Sequence, residues 1–283
     1  MSVSIPLQHV HIGTSGWAYD HWQRFYPPDV TASGRFTYYT RVFEAVEVNT
    51  TFYGLPKAAT VRQWRTTAPS GFRFSIKASR YLTHLKRLRQ PRDPLRRLQR
   101  AIAPLGRSMA VILFQLPPRF SCDLERLEEF LAEFRHVFGN TPIAVEFRDA
   151  SWYTPTVNRL LARYKAAFCI SHLAGALTPL TVTTGMVYIR LHGPAGKYAG
   201  RYDDATLRTW ARRIRSWSRS GKTVFCFFDN DEKAFAAQDA QRLAALCGLT
   251  RHPGAIVQMA GEHGHGINHT TQSVLPNPPD GKG

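Results

Sequence analysis

The sequence is short of acids, of lysine and of cysteine. Its 283 residues carry 37 basic side chains against 20 acidic ones, a formal net charge of +17. Such a field attracts polyanions and disfavours basic partners. Only eight of the bases are lysine, which leaves 29 arginines, and so strong an arginine bias also arises from the composition of a whole proteome. The four cysteines, Cys122, Cys169, Cys226 and Cys247, are scattered without a C-x-x-C pair. That spacing argues against a disulfide framework or a zinc ribbon. Cys169 and Cys226 fall inside apolar runs, where a reduced thiol acts as a small hydrophobe. No apolar run reaches the length of a membrane-spanning helix. The start, "MSVSIPLQHVHIG", lacks the charged opening and long apolar core of a secretory signal, so a cytoplasmic location is expected. No G-x-G-x-x-G follows the first strand-like run and no Walker loop occurs, so nothing favours a dinucleotide or P-loop site.

What is present is a regular alternation. Apolar, β-branched or aromatic runs recur as "HVHIGTSG", "AVEVN", "FRFSIKAS", "AVILFQLP", "IAVEFR", "AAFCISH", "MVYIRLHG" and "TVFCFFDND". Most are separated by enough chain for a helix. "DLERLEEFLAEFRHVF" sets Leu124, Leu127, Leu131, Phe134 and Phe138 on one stripe, with acids in its first turn. "DDATLRTWARRIRSWSR" sets Leu207, Trp210, Ile214 and Trp217 at helical spacing after an Asp cap. "ATVRQWRTTAP" and "QDAQRLAALCG" read as helices too, the second stopped by Gly248. Strand and helix alternating eight times predicts an α/β protein, a single (β/α)8 TIM-type barrel over residues 1–259, with a doubly wound open sheet as the alternative. Residues 260–283 lose periodicity and read as a flexible C-terminal tail. Its "EHGHGINH" is a His-bearing stretch rather than an organised metal site.

Buried parallel strands are expected to be almost continuously apolar. These runs turn polar at their C-terminal ends: Glu47 and Asn49, Ser75 and Lys77, Gln115, Glu146 and Arg148, His172, Arg190 and His192, Asp229 and Asn230. The pairs are mostly two residues apart and so share a face of the strand. In a barrel that face points into the C-terminal mouth, where strand ends build active sites. Glu47 is expected to stand near water there, with "TTFYGLP" as a loop over the mouth and Tyr53 as a lid or stacking ring. The competing reading is a salt-bridged plug in which Glu47 and Glu146 neutralise Lys77, Arg148 and Arg190 and hold the strands in register.

The segments "IGTSGWAYDHW", "FYP", "VEVNTTFYGLP", "TAPSGFRFSIKASRYLTH", "FQLPPRF", "AVEFRDASW", "YIRLHGP", "YAGRYDDATLRTWA" and "FFDND" together resemble the YecE-like family, the group named domain of unknown function seventy-two. The quoted segments run from residue 12 to residue 231, and the resemblance extends to about residue 246. The resemblance implies a TIM-type barrel and no particular activity. His172 stands where an acidic residue is expected in relatives, and "EKAFAAQDA" departs from the family's Gly-His-Ala pattern.

Carboxylates and cations facing one pocket suit acid–base work on a phosphorylated or otherwise anionic substrate. In that reading Glu47, Glu146 and His192 are catalytic, with His192 moving protons near neutral pH. Asn49, Tyr53, Lys77, Gln115, Arg148, Arg190, Tyr198 and Asn230 bind substrate, and the arginines suit bidentate contacts to phosphate or carboxylate. Glycoside hydrolysis by the carboxylate pair is disfavoured, because so many cations would keep both groups ionised. No cofactor and no metal ligands are predicted. A divalent metal on Glu47, Glu146, His192 and Asp229 is the lesser alternative, since the interleaved cations would repel it. The alternative is nucleic acid, either bound without chemistry or processed at its phosphodiesters, by the basic rim around residues 80–100. The segment "RYLTHLKRLRQPRDPLRRLQR" places Arg80, Lys86, Arg87 and Arg89 on the same rim, where they could hold a phosphate backbone. A solvated helix face is the plainer fate of such a charge run.

Overall fold

A computed structural model describes residue 7 and residues 9–249 of the chain. The eight apolar runs are eight strands: β1 Val10–Ser15, β2 Ala45–Val48, β3 Arg73–Lys77, β4 Met109–Gln115, β5 Ile143–Glu146, β6 Ala166–Leu173, β8 Met186–Leu191 and β9 Thr223–Phe228. Neighbours pair in parallel in the order β5-β4-β3-β2-β1-β9-β8-β6, and β5 pairs with β6 to close the ring. The open-sheet alternative is thereby excluded. One short strand was not foreseen: β7, Ala176–Leu177, folds back antiparallel on the end of β6. The expected tail at residues 260–283 and its boundary at residue 259 lie outside the described residues. Among the described residues, no helix is long and apolar enough to cross a membrane.

The intervening helices are α1 Arg35–Val42, α2 Thr50–Tyr53, α3 Ala58–Thr67, α4 Arg92–Ile102, α5 Leu124–Phe138, α6 Pro155–Arg163, α7 Asp204–Arg219 and α8 Phe235–Cys247. Asp123 caps α5 by accepting the Arg126 N–H at 3.0 Å, and Asp203 caps α7 by accepting that of Thr206 at 2.6 Å. Gly248 ends α8 in the left-handed region, with φ 75°. The inward stripe of α5 is Leu127, Phe130, Leu131, Phe134 and Phe138. Leu124, placed on that stripe from its spacing, sits in the first turn and is 37% exposed. Phe130 takes up the burial instead, each such side chain contributing about 1.5–3 kcal/mol. The arginine-rich stretch after β3 is more structured than a charged loop. It holds a π-helical turn over Tyr81–Leu85, and α4 buries Leu95, Leu98 and Ile102 beneath its exposed arginines.

Two cores result. The larger lies between the barrel and the helices. The smaller fills the barrel itself with Ala45, Val111, Leu113, Ala144, Ala167, Cys169, Tyr188, Phe225 and Phe227. Cys169 and Cys226 are both buried free thiols, and burial pushes their pKa well up, so they behave as hydrophobes. Above the inner core the barrel axis turns polar, which positions the site.

Candidate active site at the barrel mouth

The polar layer is organised by one cation. Arg190, at the end of β8, is fully buried and gathers carboxylates from three strands. Its Nε donates to both oxygens of Glu47 on β2, at 3.1 and 3.0 Å. Its Nη1 donates to Glu146 Oε2 on β5 at 2.8 Å. Its Nη2 donates to Glu47 Oε1 at 2.6 Å and to Asp229 Oδ2, just past β9, at 2.9 Å. Burial alone would lower the pKa of this guanidinium, but Glu47, Glu146 and Asp229 raise it well above its ordinary value. Glu47 also accepts from Ser15 Oγ at 2.7 Å and from Tyr188 Oη at 2.6 Å. Every strong acceptor direction of that carboxylate is therefore occupied.

His192 extends the network. Its Nδ1 lies 2.9 Å from Asp229 Oδ2, and its Nε2 lies 3.0 Å from Glu146 Oε1 and 2.8 Å from Arg148 Nη2. Arg148 in turn pairs with Glu146 Oε1 at 2.6 Å. One tautomer donates from Nδ1 to Asp229 and accepts from Arg148, while a protonated Nε2 donates to Glu146. The ring thus bridges Asp229 and Glu146. Burial would raise both carboxyls, but Arg148 and Arg190 hold Glu146 well below the ordinary range, and Arg190 with the His192 hydrogen bond holds Asp229 below it.

The network touches a cavity of about 320 Å³ at the C-terminal mouth, on the side of β1, β2, β3 and β9. Gly16, Trp17, Ala18 and Tyr19 line it from the loop after β1, and Val48, Asn49, Thr50, Phe52 and Tyr53 from the end of β2 and the short α2, so that the stretch expected as a loop over the mouth begins as a helical turn. Lys77, Tyr198, Asp229 and Asp231 complete it. Lys77 is only 7% exposed. Its Nζ stands 4.3 Å from the centre of the Phe52 ring. Among the described residues that nitrogen has no hydrogen-bond or ion-pair partner, while the Lys77 carbonyl accepts from Thr51 Oγ1 at 2.7 Å. Burial, and next the Arg190 charge, push its pKa below the ordinary 10.5, although Asp229, Glu47 and Glu146 pull the other way. Asn49 Oδ1 is likewise buried without a partner among the described residues. Burial and the charge of Asp229 raise the Asp231 carboxyl.

Tyr198 reaches the cavity because the loop after β8 doubles back at once. Gly193 has φ +112°, and a Cβ there would stand 2.2 Å from the Ala199 carbonyl oxygen. The far end of the loop is tied by Asn230, whose Nδ2 donates to Gly200 O and to Asp239 Oδ2, both at 2.9 Å.

The sequence-predicted residues therefore divide. Glu47, Glu146, Arg148, Arg190 and His192 come together as the buried layer, and Asn49, Tyr53, Lys77 and Tyr198 meet in the cavity. The expectation that Glu47 stands near water fails: it is 0% exposed, because Tyr188 and Arg190 close over it. Tyr53 is 75% exposed at the rim, as a lid or stacking ring would be. Gln115 is buried outside the cavity lining and donates to Leu116 O at 3.0 Å. Asn230 anchors a loop and does not line the cavity. His172 bonds the Tyr202 hydroxyl at 2.9 Å, also outside the cavity lining. Arg80, Arg87 and Arg89 are exposed beyond β3, while Lys86 is half-buried and donates to Gln90 Oε1 at 2.8 Å. Among the described residues, no group of three or more His, Cys, Asp or Glu side chains is arranged to hold a metal ion. Trp17, Tyr19 and Asp231 were missed. The rule that loops after strands roof the mouth reaches all three, in "GTSGWAYD" and "FFDND".

Fold and site define a TIM-type barrel with a polar cluster at its C-terminal mouth. The chain belongs to the family described as "Protein of unknown function DUF72", whose profile matches residues 11–260. It is 28% identical over 268 residues to the UPF0759 protein YunF of Bacillus subtilis, covering 84% of this chain and 94% of YunF. It is 32% identical over 111 residues to the UPF0759 protein YecE of Escherichia coli K12, 39% of each chain. The crystal structure of a DUF72 family protein from Thermotoga maritima superposes with a TM-score of 0.77 at 27% identity, covering 85% of this chain and all (100%) of that one.

Proposed function

We propose that this protein is an enzyme that moves protons on a small phosphorylated or otherwise anionic substrate held in the mouth cavity. The observation that carries the reading is the meeting of Lys77 and Asp229 at the cavity wall, where the buried charge network reaches open space. Asp229 is the base, kept ionised by Arg190 and oriented by His192. His192 passes the proton on towards Glu146. Glu47 and Arg190, placed one layer deeper, position these groups and do not touch substrate. Lys77 supplies the positive end of the cavity, Asn49 Oδ1 accepts from a substrate hydroxyl, and Tyr53 and Tyr198 pack against its body. The cavity is at the small end of ligand sites, which run from about 300 to 1,000 Å³.

The test is a thermal-shift screen of sugar phosphates, small carboxylic acids and nucleoside monophosphates. At least one class should stabilise the wild type, and Lys77→Gln and Asp229→Asn should each lose that response while remaining folded. A response that survives both changes, or none from any class, contradicts the reading. A second reading rests on the exposure of Arg80, Arg87 and Arg89 on the same rim. There they would hold the phosphates of a nucleic acid.

A further inference from the structure

We propose that Lys77 is a nucleophile that condenses with the carbonyl group of a small aldehyde or ketone, holding it as a Schiff base in the mouth cavity. The proposal rests on the reading of that cavity as the active site and names its substrate class.

A lysine kept only as a cation is expected to face its counter-charges. Here the carboxylates nearest the barrel axis, Glu47, Glu146 and Asp229, each turn at least one oxygen to Arg190, and none forms an ion pair with Lys77. The Lys77 amine is left unpaired among the described residues, against the face of Phe52 and open to the cavity. Burial and the neighbouring Arg190 guanidinium favour the neutral amine, the form that attacks carbonyl carbon, against the pull of the Phe52 ring face on the ammonium. The direction of the Lys77 pKa agrees.

The remaining steps have groups in place. The nitrogen lone pair forms the C–N bond, and the carbonyl π electrons pass to oxygen, which takes up a proton. The nitrogen loses a proton, and the resulting carbinolamine hydroxyl is protonated and leaves as water. The sum is amine plus carbonyl plus one proton, giving iminium plus water, with no oxidant or reductant. Asp231, whose carboxyl is raised by burial and by Asp229, lines the same cavity as a proton carrier. Asp229, held ionised, offsets the positive charge of the iminium and is placed to remove a proton from the adjacent carbon. The reactions served are those that pass through an enamine: isomerisation, aldol cleavage or condensation, and decarboxylation of a keto acid.

The experiment treats the full chain separately with pyruvate, dihydroxyacetone phosphate and glyceraldehyde 3-phosphate in the presence of cyanoborohydride, which reduces an iminium to a stable amine. Peptide mapping at neutral pH should find the adduct on Lys77 with at least one probe. Labelling of Lys77 should exceed that of Lys57 and Lys222, as the lowered pKa of its amine requires. Lys77→Arg and Lys77→Met should lose this adduct, and Lys86→Ala should keep it. No adduct on Lys77 with any probe, or labelling no greater than at the surface lysines, overturns the proposal. The wild-type map needs no variant to fold. The same probes without reductant are followed by thermal shift: stabilisation without an adduct rejects the Schiff base and leaves the cavity reading intact. Neither stabilisation nor adduct counts against both.

Discussion

Replacing Glu47 by Gln keeps its shape but removes the charge that faces Arg190. Because the pair is wholly buried, the change should cost about 3–5 kcal/mol in urea unfolding. A loss of about 1 kcal/mol or less, as exposed pairs give, would show that water reaches the glutamate after all. Lys77 should behave in the opposite way. Its amine is buried without a hydrogen-bond or ion-pair partner among the described residues, so Lys77→Met should leave stability within about 1 kcal/mol of wild type while ligand response disappears, the trade-off expected where function keeps a strained group. A large destabilisation would make Lys77 a structural ion. At this scale the sequence tells which residues are polar at strand ends, and it places Glu47, Lys77, Arg190 and Asp229 together. It does not tell which face water. That depends on whether Tyr188 and Arg190, from β8, cover Glu47 from β2, a contact across the barrel that no local pattern encodes.

Gly193 and the stretch after β3 carry the predictions for elements. Gly193→Ala forces a Cβ to within 2.2 Å of the Ala199 oxygen at φ +112°. The loop must open, Tyr198 must leave the cavity wall, and ligand response should fall at least as far as in Tyr198→Phe. Circular dichroism should still report a folded barrel. An unchanged ligand response would remove the loop from the site. If the basic rim holds nucleic acid, binding should weaken steeply with salt, and Lys86→Ala, Arg87→Ala and Arg89→Ala together should flatten the slope of log affinity against log salt by about one unit per lost contact. Titrations at two salt concentrations decide it, and no binding at low salt rejects that reading. The elements themselves are largely legible. Apolar runs mark every barrel strand, and Asp123, Asp203 and Gly248 mark helix ends. Two features escape for physical reasons. β7 has two residues, too few for any period. The π-helical turn at Tyr81–Leu85 lies in a charge run, where the buried Leu82 and Leu88 are too few to set a period.

For the molecule as a whole, closure of the barrel follows from counting strand–helix units, and the family relationship agrees with that count. Acid should destabilise it in two overlapping stages. Burial lowers His11 and His84 from 6.5 to about 4, with Arg73 and Lys77 as the next causes respectively. Between those values the unfolded chain binds protons that the folded one does not, so stability should fall as pH drops from 6.5 towards 4. Glu146, lowered well below its ordinary 4.5, contributes stability that is lost as pH falls below that value. Urea midpoints across this range should decline throughout, and His11→Phe should flatten the upper part. A midpoint that stays level from pH 6.5 to 4 would contradict the buried neutral histidines. The central claim is that the buried charge network ends in a cavity-facing lysine with a lowered pKa. The measurement that tests it most directly is a pH titration of the full chain labelled with 13C at the lysine Cε, with Lys77 assigned by the signal missing from Lys77→Arg. Lys77 should titrate below 10.5 and apart from the exposed lysines, and a Lys77 that titrates together with them would contradict the account.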